Sequence, residues 1–409
     1  MLGLSMTIFK RQIIQEIQTY LNDNSVIVLH GARQVGKTSI LYYLRETLTD
    51  KGERSCYFDL EDSRYLKILD SGVDPFVRYL TEHGFIPANP VGRLYVFIDE
   101  VQYMADPSPF LKLIADHHRY LKLIVSGSSS FAIKDKFKDS LVGRTVNFEI
   151  FPLSFREMLT FRQIHFEEGV EYTAPKTDEL LDLFREYVLY GGYPGIVLTS
   201  EIEKKEKLLQ QIVDTYVRKD IRDLAGVIDI DKYNKLLETL ASQAGQLLNV
   251  AELANTTRIS APTVEKYLFI LESTYIIKLL RPFSNNIRSE LFKQPKVFFY
   301  DTGLMQILWL KAMQKEIIGN VFETAIFSEL IKKYPSDSIR YWRTKDKKEI
   351  DFILNLHNLP LPIEAKLNFD KFKPASIRYF NKEYNIEHYK VVGLRGTRKN
   401  EQFIYPWML

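Results

Sequence analysis

The chain is almost without cysteine: Cys56 is the only one in 409 residues. A single thiol, set in an apolar run, excludes an intramolecular disulfide and a zinc site built on cysteines. Long apolar runs are missing as well. No stretch reaches the roughly 18 residues a membrane-spanning helix needs, and the opening MLGLSMTIFKRQ lacks the apolar core of a signal peptide. Strong charge of either sign is also absent. With 55 Lys and Arg against 52 Asp and Glu, the net charge is +3. No global basic field therefore points to nucleic acid, and any such patch has to be local. These absences lead to the expectation of a cytoplasmic chain with no membrane partner. The length points to several domains, and the many Tyr and Phe residues to large aromatic cores.

What is present begins at Ser25–Leu44, SVIVLHGARQVGKTSILYYL, an apolar strand, a tight loop and a helix. The loop Gly31-Ala32-Arg33-Gln34-Val35-Gly36-Lys37-Thr38, followed by Ser39, fits G-x-x-x-x-G-K-[ST] at every fixed position. Glycines let successive backbone N–H groups turn inward toward phosphate oxygens, and the following helix adds its positive end. Lys37 would reach the β- and γ-phosphates, and the Thr38 hydroxyl would go to Mg²⁺. Residues 31–39 are thus a candidate nucleotide phosphate site.

Downstream, Leu94–Glu100 is a buried strand ending in two carboxylates. After a phosphate loop, Asp99 is placed to hold Mg²⁺ through its water shell, and Glu100 to polarise an attacking water. A second strand, Arg54–Leu60, runs into Asp59, Glu61 and Asp62, either a group near the nucleotide or a solvated loop. The strand Leu121–Val125 leads into Ser126–Ser130, where Ser128 is a candidate γ-phosphate sensor and a plain polar loop is the alternative. Arg144, just before a fifth strand at 145–150, would reach a γ-phosphate in its own chain or a neighbour's, or form a surface salt bridge. Strands alternating with helices over 25–150 call for a doubly wound parallel sheet, with the site at the carboxyl ends of its strands.

From Phe151 to about 245 the periodicity is helical, broken by Gly191-Gly192-Tyr193-Pro194-Gly195. In the charged helix expected over 201–225, Arg218, Lys219 and Arg222 would contact phosphates or pair with Asp220 and Asp223. Residues 248–280 read as a helix-turn-helix with Ser260 capping its second helix. That helix would present Thr263, Glu265 and Lys266 to DNA, or serve packing alone. Strand-like residues at 275–280 and 296–300 complete a winged-helix pattern.

The last hundred residues hold a second set of charges. Asp351 in one strand and Glu364-x-Lys366 in the next have the makings of a metal-dependent phosphodiesterase site. Two carboxylates would hold the metal and the lysine would steady hydroxide or phosphate, with Glu323 on a preceding helix completing the set. The alternative is a buried ion pair without turnover.

GARQVGKT, VFIDEVQ, VSGSSS, LVGR and FPLSFRE resemble the prokaryotic AAA-superfamily ATP-binding proteins. YGGYP, YVRKDI, YDTGL and WRTKDKKEIDFIL…PIEAK resemble the uncharacterised region fused to that ATPase. The resemblance implies an α/β chain in four parts. These are a P-loop ATPase of the additional-strand-catalytic-glutamate class at 1–150, a helical lid or linker at 151–245, a winged helix at 246–300 and a PD-(D/E)xK nuclease-like domain at 301–409. It places Gly31, Gly36, Lys37 and Thr38 on the Walker A motif and Asp99 and Glu100 on Walker B. Asp351, Glu364 and Lys366 fall on the nuclease-like motif, in which Ile350 stands where a proline is expected. ATP and Mg²⁺ are the implied cofactors. DNA or RNA and protein partners are the expected macromolecules, along with a homo-oligomer if Arg144 acts in trans.

Overall fold

The computed structural model describes residues 9–87, 92–127, 141, 143–220, 227, 229–284 and 294–409. The chain divides into two compact units, Met1–Phe151 and Pro152–Leu409.

In the first unit a short helix α1 (Ile13–Thr19) leads into β1 (Val26–Gly31), α2 (Lys37–Asp50) and β2 (Arg54–Asp59). Helices α3 (Ser63–Asp70) and α4 (Val73–Glu82) precede β3 (Leu94–Asp99). Then come α5 (Pro107–His117), β4 (Leu121–Gly127) and β5 (Thr145–Ile150). The five strands lie in the order β2-β3-β4-β1-β5, all parallel. Every residue of β1, β3 and β4 is buried. That is why VIVLHG, LYVFID and LKLIVSG read as continuous apolar runs, as strands covered on both faces do. Strand β4 lies between β1 and β3, so the phosphate-loop strand and the Asp99 strand have one strand interposed.

The second unit is helical through α6 (Phe155–Phe161), α7 (Ala174–Tyr190), α8 (Pro194–Val197) and α9 (Ile202–Ile212). The helix expected over 201–225 changes its winding: Val213–Asp220 is π-helical. Arg218 pairs with Asp214 at 3.0 Å, one turn before it; the Asp220 side chain lies outside the described residues. The Lys219 side chain, Arg222 and Asp223 lie outside the described residues. Helices α10 (Ile230–Ser242), α11 (Val250–Thr257) and α12 (Ala261–Ser273) follow, then the antiparallel pair β6 (Ile277–Leu280) and β7 (Lys296–Phe299). Ser260 caps α12, accepting from the Thr263 amide at 3.4 Å. Thr263 is half-buried and Glu265 and Lys266 are exposed on that helix.

Helices α13 (Thr302–Leu310) and α14 (Gly319–Lys333) lead to a second sheet. Its strands are β8 (Ile339–Arg343), β9 (Glu349–Leu356), β10 (Leu359–Ala365), β11 (Lys390–Val392) and β12 (Phe403–Ile404), in the order β12-β11-β10-β9-β8. Strands β9 and β10 are joined through His357 and Asn358, both at positive φ (51° and 62°). Two such residues in a two-residue hairpin loop match the twist of the strands they connect. Helix α15 (Ala375–Tyr384) packs Ile377 and Phe380 into the aromatic core of this sheet.

Two quoted motifs turn out to meet. Gly191 ends α7 at φ 80°, and a Cβ there would lie 2.1 Å from Asp301 Oδ1. Asp301 in turn accepts from the amides of Gly192 (2.7 Å) and Leu304 (2.9 Å). YGGYP and YDTGL therefore lock α7 onto the start of α13, and burial pushes the Asp301 carboxyl above its ordinary range. FPLSFRE is held in a similar way. Ser154 and Glu157 form a capping box, and the Phe155 amide donates to Glu329 at 3.1 Å. Among the described residues, no helix is long and apolar enough to cross a membrane.

Candidate functional site

The phosphate loop takes the shape its glycines permit. Gln34 and Gly36 have φ of 62° and 95°, left-handed values that Gly adopts freely. Ala32, Val35 and Lys37 are buried, whereas Arg33, Gln34 and Ser39 face solvent. Lys37, the first residue of α2, curls back over the loop. Its Nζ donates to the carbonyls of Gly31 (3.1 Å) and Ala32 (2.7 Å). These are neutral acceptors, and burial lowers the Lys37 pKa to about 8 against the opposing pull of Glu100 and Asp99. The ammonium is therefore a buried charge short of a full counter-charge, the condition in which an anion gains most.

Asp99, at the carboxyl end of β3, collects four donors. Oδ2 accepts from Thr38 Oγ1 (2.7 Å) and the Tyr57 hydroxyl (2.8 Å). Oδ1 accepts from Ser126 Oγ and from the Glu100 amide at 3.1 Å. A hydroxyl and a carboxylate in contact are hard oxygen donors of the kind Mg²⁺ takes alongside several waters. Thr38 and Asp99 would hold that ion, whose charge would offset that of the phosphates. Glu100 follows at φ 57°, a left-handed value uncommon for a residue with a Cβ. Its carboxylate accepts from Gln102 Nε2, and burial raises its pKa.

Other expected members stand elsewhere. Arg144 takes its salt-bridge alternative, and a reach to its own chain's phosphate loop is excluded. It directly precedes β5, and its carbonyl accepts from Val26 at the amino end of β1. The loop lies at the other end of that six-residue strand, about 17 Å away at the usual rise, beyond an arginine's reach within the chain. Its Nε instead pairs with Asp116 at 2.7 Å. Asp59 and Asp62 cap local turns, accepting from the amides of Glu61 and Arg64 at 2.9 Å. Ser126 turns to Asp99, while Ser128 lies outside the described residues. Tyr57 was not singled out from sequence, because its contact with Asp99 depends on the pairing of β2 with β3.

The carboxyl-terminal charges also come together. Lys366 Nζ lies 2.8 Å from Asp351 Oδ2 and 2.6 Å from Glu364 Oε2, and the Ala365 amide donates to Asp351 at 2.9 Å. In the β8–β9 ladder Arg340 faces Ile353 and Trp342 faces Ile350. Asp351 and Phe352 thus oppose Tyr341 alone, a bulge of the kind that re-aims a side chain. Glu323 on α14 is engaged by a lysine absent from the expected set. Lys296, from β7, lies 3.1 Å from Glu323 and 2.6 Å from Glu349.

Asp351 is held below the carboxylate range by Lys366 and Lys296, whose attraction outweighs its burial. Burial and Asp351's charge push Glu364 to about 8 and Glu323 to about 7. Among the described residues, no three His, Cys, Asp or Glu side chains are grouped to hold a metal. Of the expected set, Asp351 and Glu364 share Lys366, and Glu323 lies beside Lys296.

Residues 23–159 match the AAA domain family. That stretch takes in the phosphate loop and the strand ending in Asp99 and Glu100. Residues 181–316 and 318–406 match two domains of unknown function, DUF8612 and DUF4143. An uncharacterized protein of Haemophilus influenzae is 27% identical over 357 residues, covering 85% of this chain and 83% of that one. The uncharacterized protein MJ1544 of Methanocaldococcus jannaschii is 24% identical over 350 residues, 84% and 75% of the two chains. Among solved structures, a Walker-type ATPase of Pyrococcus abyssi aligns at TM-score 0.47 and 16% identity, over 74% of this chain and 96% of that one. Lys296 belongs to the DUF8612 stretch, and the carboxylates it binds to DUF4143.

Proposed function

We propose that the first unit binds and hydrolyses ATP with Mg²⁺. Lys37 would take the β- and γ-phosphates, Thr38 and Asp99 the metal, and Glu100 the attacking water. The observation that carries this reading is Lys37: a buried ammonium resting on two neutral carbonyls of a loop shaped to receive phosphate. Nucleotide titration and phosphate release test it. Lys37→Ala should lose hydrolysis and most nucleotide affinity; turnover at the wild-type rate in that variant overturns the assignment.

The second unit we read as the output of an ATP-driven switch, whose carboxyl-terminal module binds a partner and does not turn over substrate. Support comes from Lys366 and Lys296, each already committed to carboxylates. A second reading, a nuclease-like domain that binds or cuts DNA or RNA, is favoured by the meeting of Asp351, Glu364 and Lys366 beside a bulge. The three-helix run with its β6–β7 pair supports a winged helix there, although the α12 residues in the reading position are not notably basic. Incubation with single- and double-stranded DNA and with RNA, in Mg²⁺ or Mn²⁺ and with or without ATP, separates the two. Cleavage by the wild type and none by an Asp351→Ala, Lys366→Ala double variant establishes the nuclease. Intact ATP hydrolysis without cleavage leaves the switch and directs the search to protein partners.

A further inference from the structure

Arg11 belongs to no motif, yet its guanidinium reaches the phosphate loop. It is 6% exposed, just ahead of α1. One arm, Nη1, donates to the Val35 carbonyl at 2.8 Å, and the other, Nη2, to the Phe151 carbonyl at 2.9 Å. The acceptors are far apart in the chain but close in the fold. Phe151 directly follows β5, which pairs with β1 up to the Gly31↔Ile150 register, so the fork spans from the loop to the strand flanking it.

A trans peptide is planar, and its C=O and N–H point in opposite directions. Fixing the Val35 carbonyl outward on Arg11 therefore aims the Gly36 N–H toward the inside of the loop. The Gly36 carbonyl is also engaged, accepting from the Ile40 amide at 3.0 Å, so the residue is fastened on both sides. Phe151 supplies a rigid second anchor, without which the guanidinium would follow the loop and not hold it. A planar fork can grip two carbonyls in one orientation, which a lysine ammonium on a flexible stem does poorly.

We propose that Arg11 is a positioning residue of the phosphate cradle, presetting the Val35–Gly36 peptide so that its N–H meets a phosphate oxygen of a nucleoside di- or triphosphate. This rests on the reading of residues 31–39 as a nucleotide site. The test uses the full chain as wild type, Arg11→Met, Arg11→Ala and Arg11→Lys, titrated with fluorescent ADP and assayed for Mg²⁺-dependent ATP hydrolysis. A hydrogen bond to a charged group is worth roughly 10- to 100-fold in affinity. Arg11→Met should weaken ADP by that factor and raise KM more than it lowers kcat, because Arg11 touches no reacting atom. Arg11→Lys should fall between. Millimolar guanidinium should restore ADP binding to Arg11→Ala, while an equal concentration of ethylammonium should not.

Wild-type affinity in a folded Arg11→Met or Arg11→Lys overturns the inference, as does equal rescue by both cations. If Arg11→Met does not fold, Arg11→Lys and the rescue comparison still decide. A wild type that binds no nucleotide overturns the underlying reading instead, a result distinct from failure of the variants.

Discussion

The two units treat a buried lysine in opposite ways. Lys37 rests on neutral carbonyls, and desolvation lowers its pKa to about 8. Lys296, buried, and Lys366, half-buried, each lie between carboxylates, whose attraction outweighs desolvation and raises their pKa values. An ammonium on carbonyls still lacks a full counter-charge and is ready for an incoming anion. An ammonium between carboxylates already has its partners, and a newcomer has to displace it. The contrast suggests that the first unit is open to a charged ligand and that the carboxyl-terminal cluster is closed on itself until something removes a lysine.

The largest effect that would sharpen this contrast lies in the open site. Glu100→Gln keeps the shape but removes the proposed base. Hydrolysis should drop by about 10²–10⁴-fold while ATP binding persists in titration; normal turnover would move the base elsewhere. Next is the closed cluster. Lys296→Met removes a buried ammonium from two half-buried carboxylates, Glu323 and Glu349, the second of which keeps Arg343 at 3.2 Å, so the cost should fall below the roughly 3–5 kcal/mol of a fully buried pair. Chemical denaturation should show the loss in the second unit. Adding Glu323→Gln should recover part of it, and a variant as stable as the wild type would break the comparison.

Smaller effects come from titration. Lys37, the proposed phosphate ligand, would bind an anion best when charged, and its pKa is lowered to about 8. Nucleotide affinity should therefore fall as pH rises above that value, by at most about tenfold per unit, a decline absent from Lys37→Ala. In the cluster, Glu364 is raised from 4.5 to about 8. Its contribution to stability is complete below its unfolded value and is lost as pH rises through the folded one. Melting of the second unit should accordingly shift downward across that window, and Glu364→Gln should flatten the shift.

The parts legible in sequence were those whose logic is local. The phosphate loop, the strand ending in Asp99-Glu100 and the boundaries of β5 follow from a few adjacent residues. For Arg144 the choice among its alternatives was partly legible: a residue that opens a strand of a parallel sheet lies at the end away from its own chain's phosphate loop. Arg11, Tyr57 and Lys296 were missed for another reason. Each acts across elements distant in the chain, and neither spacing nor composition says which carbonyl or carboxylate will be opposite. At the cluster, the residue types were readable, but the bulge at Asp351 and the lysine supplied by β7 were not.

The conformation of Glu100 has one more consequence. Its carboxylate is aimed by a backbone held at φ 57°, and not by choice of rotamer alone. Rotating that angle to an ordinary strand or helix value swings the Cβ away and drags the neighbouring peptides with it. An idle state reached this way would be a peptide flip and not a side-chain swing. The place to watch for it is the amide resonances of Glu100 and Val101, which would move together as nucleotide comes and goes.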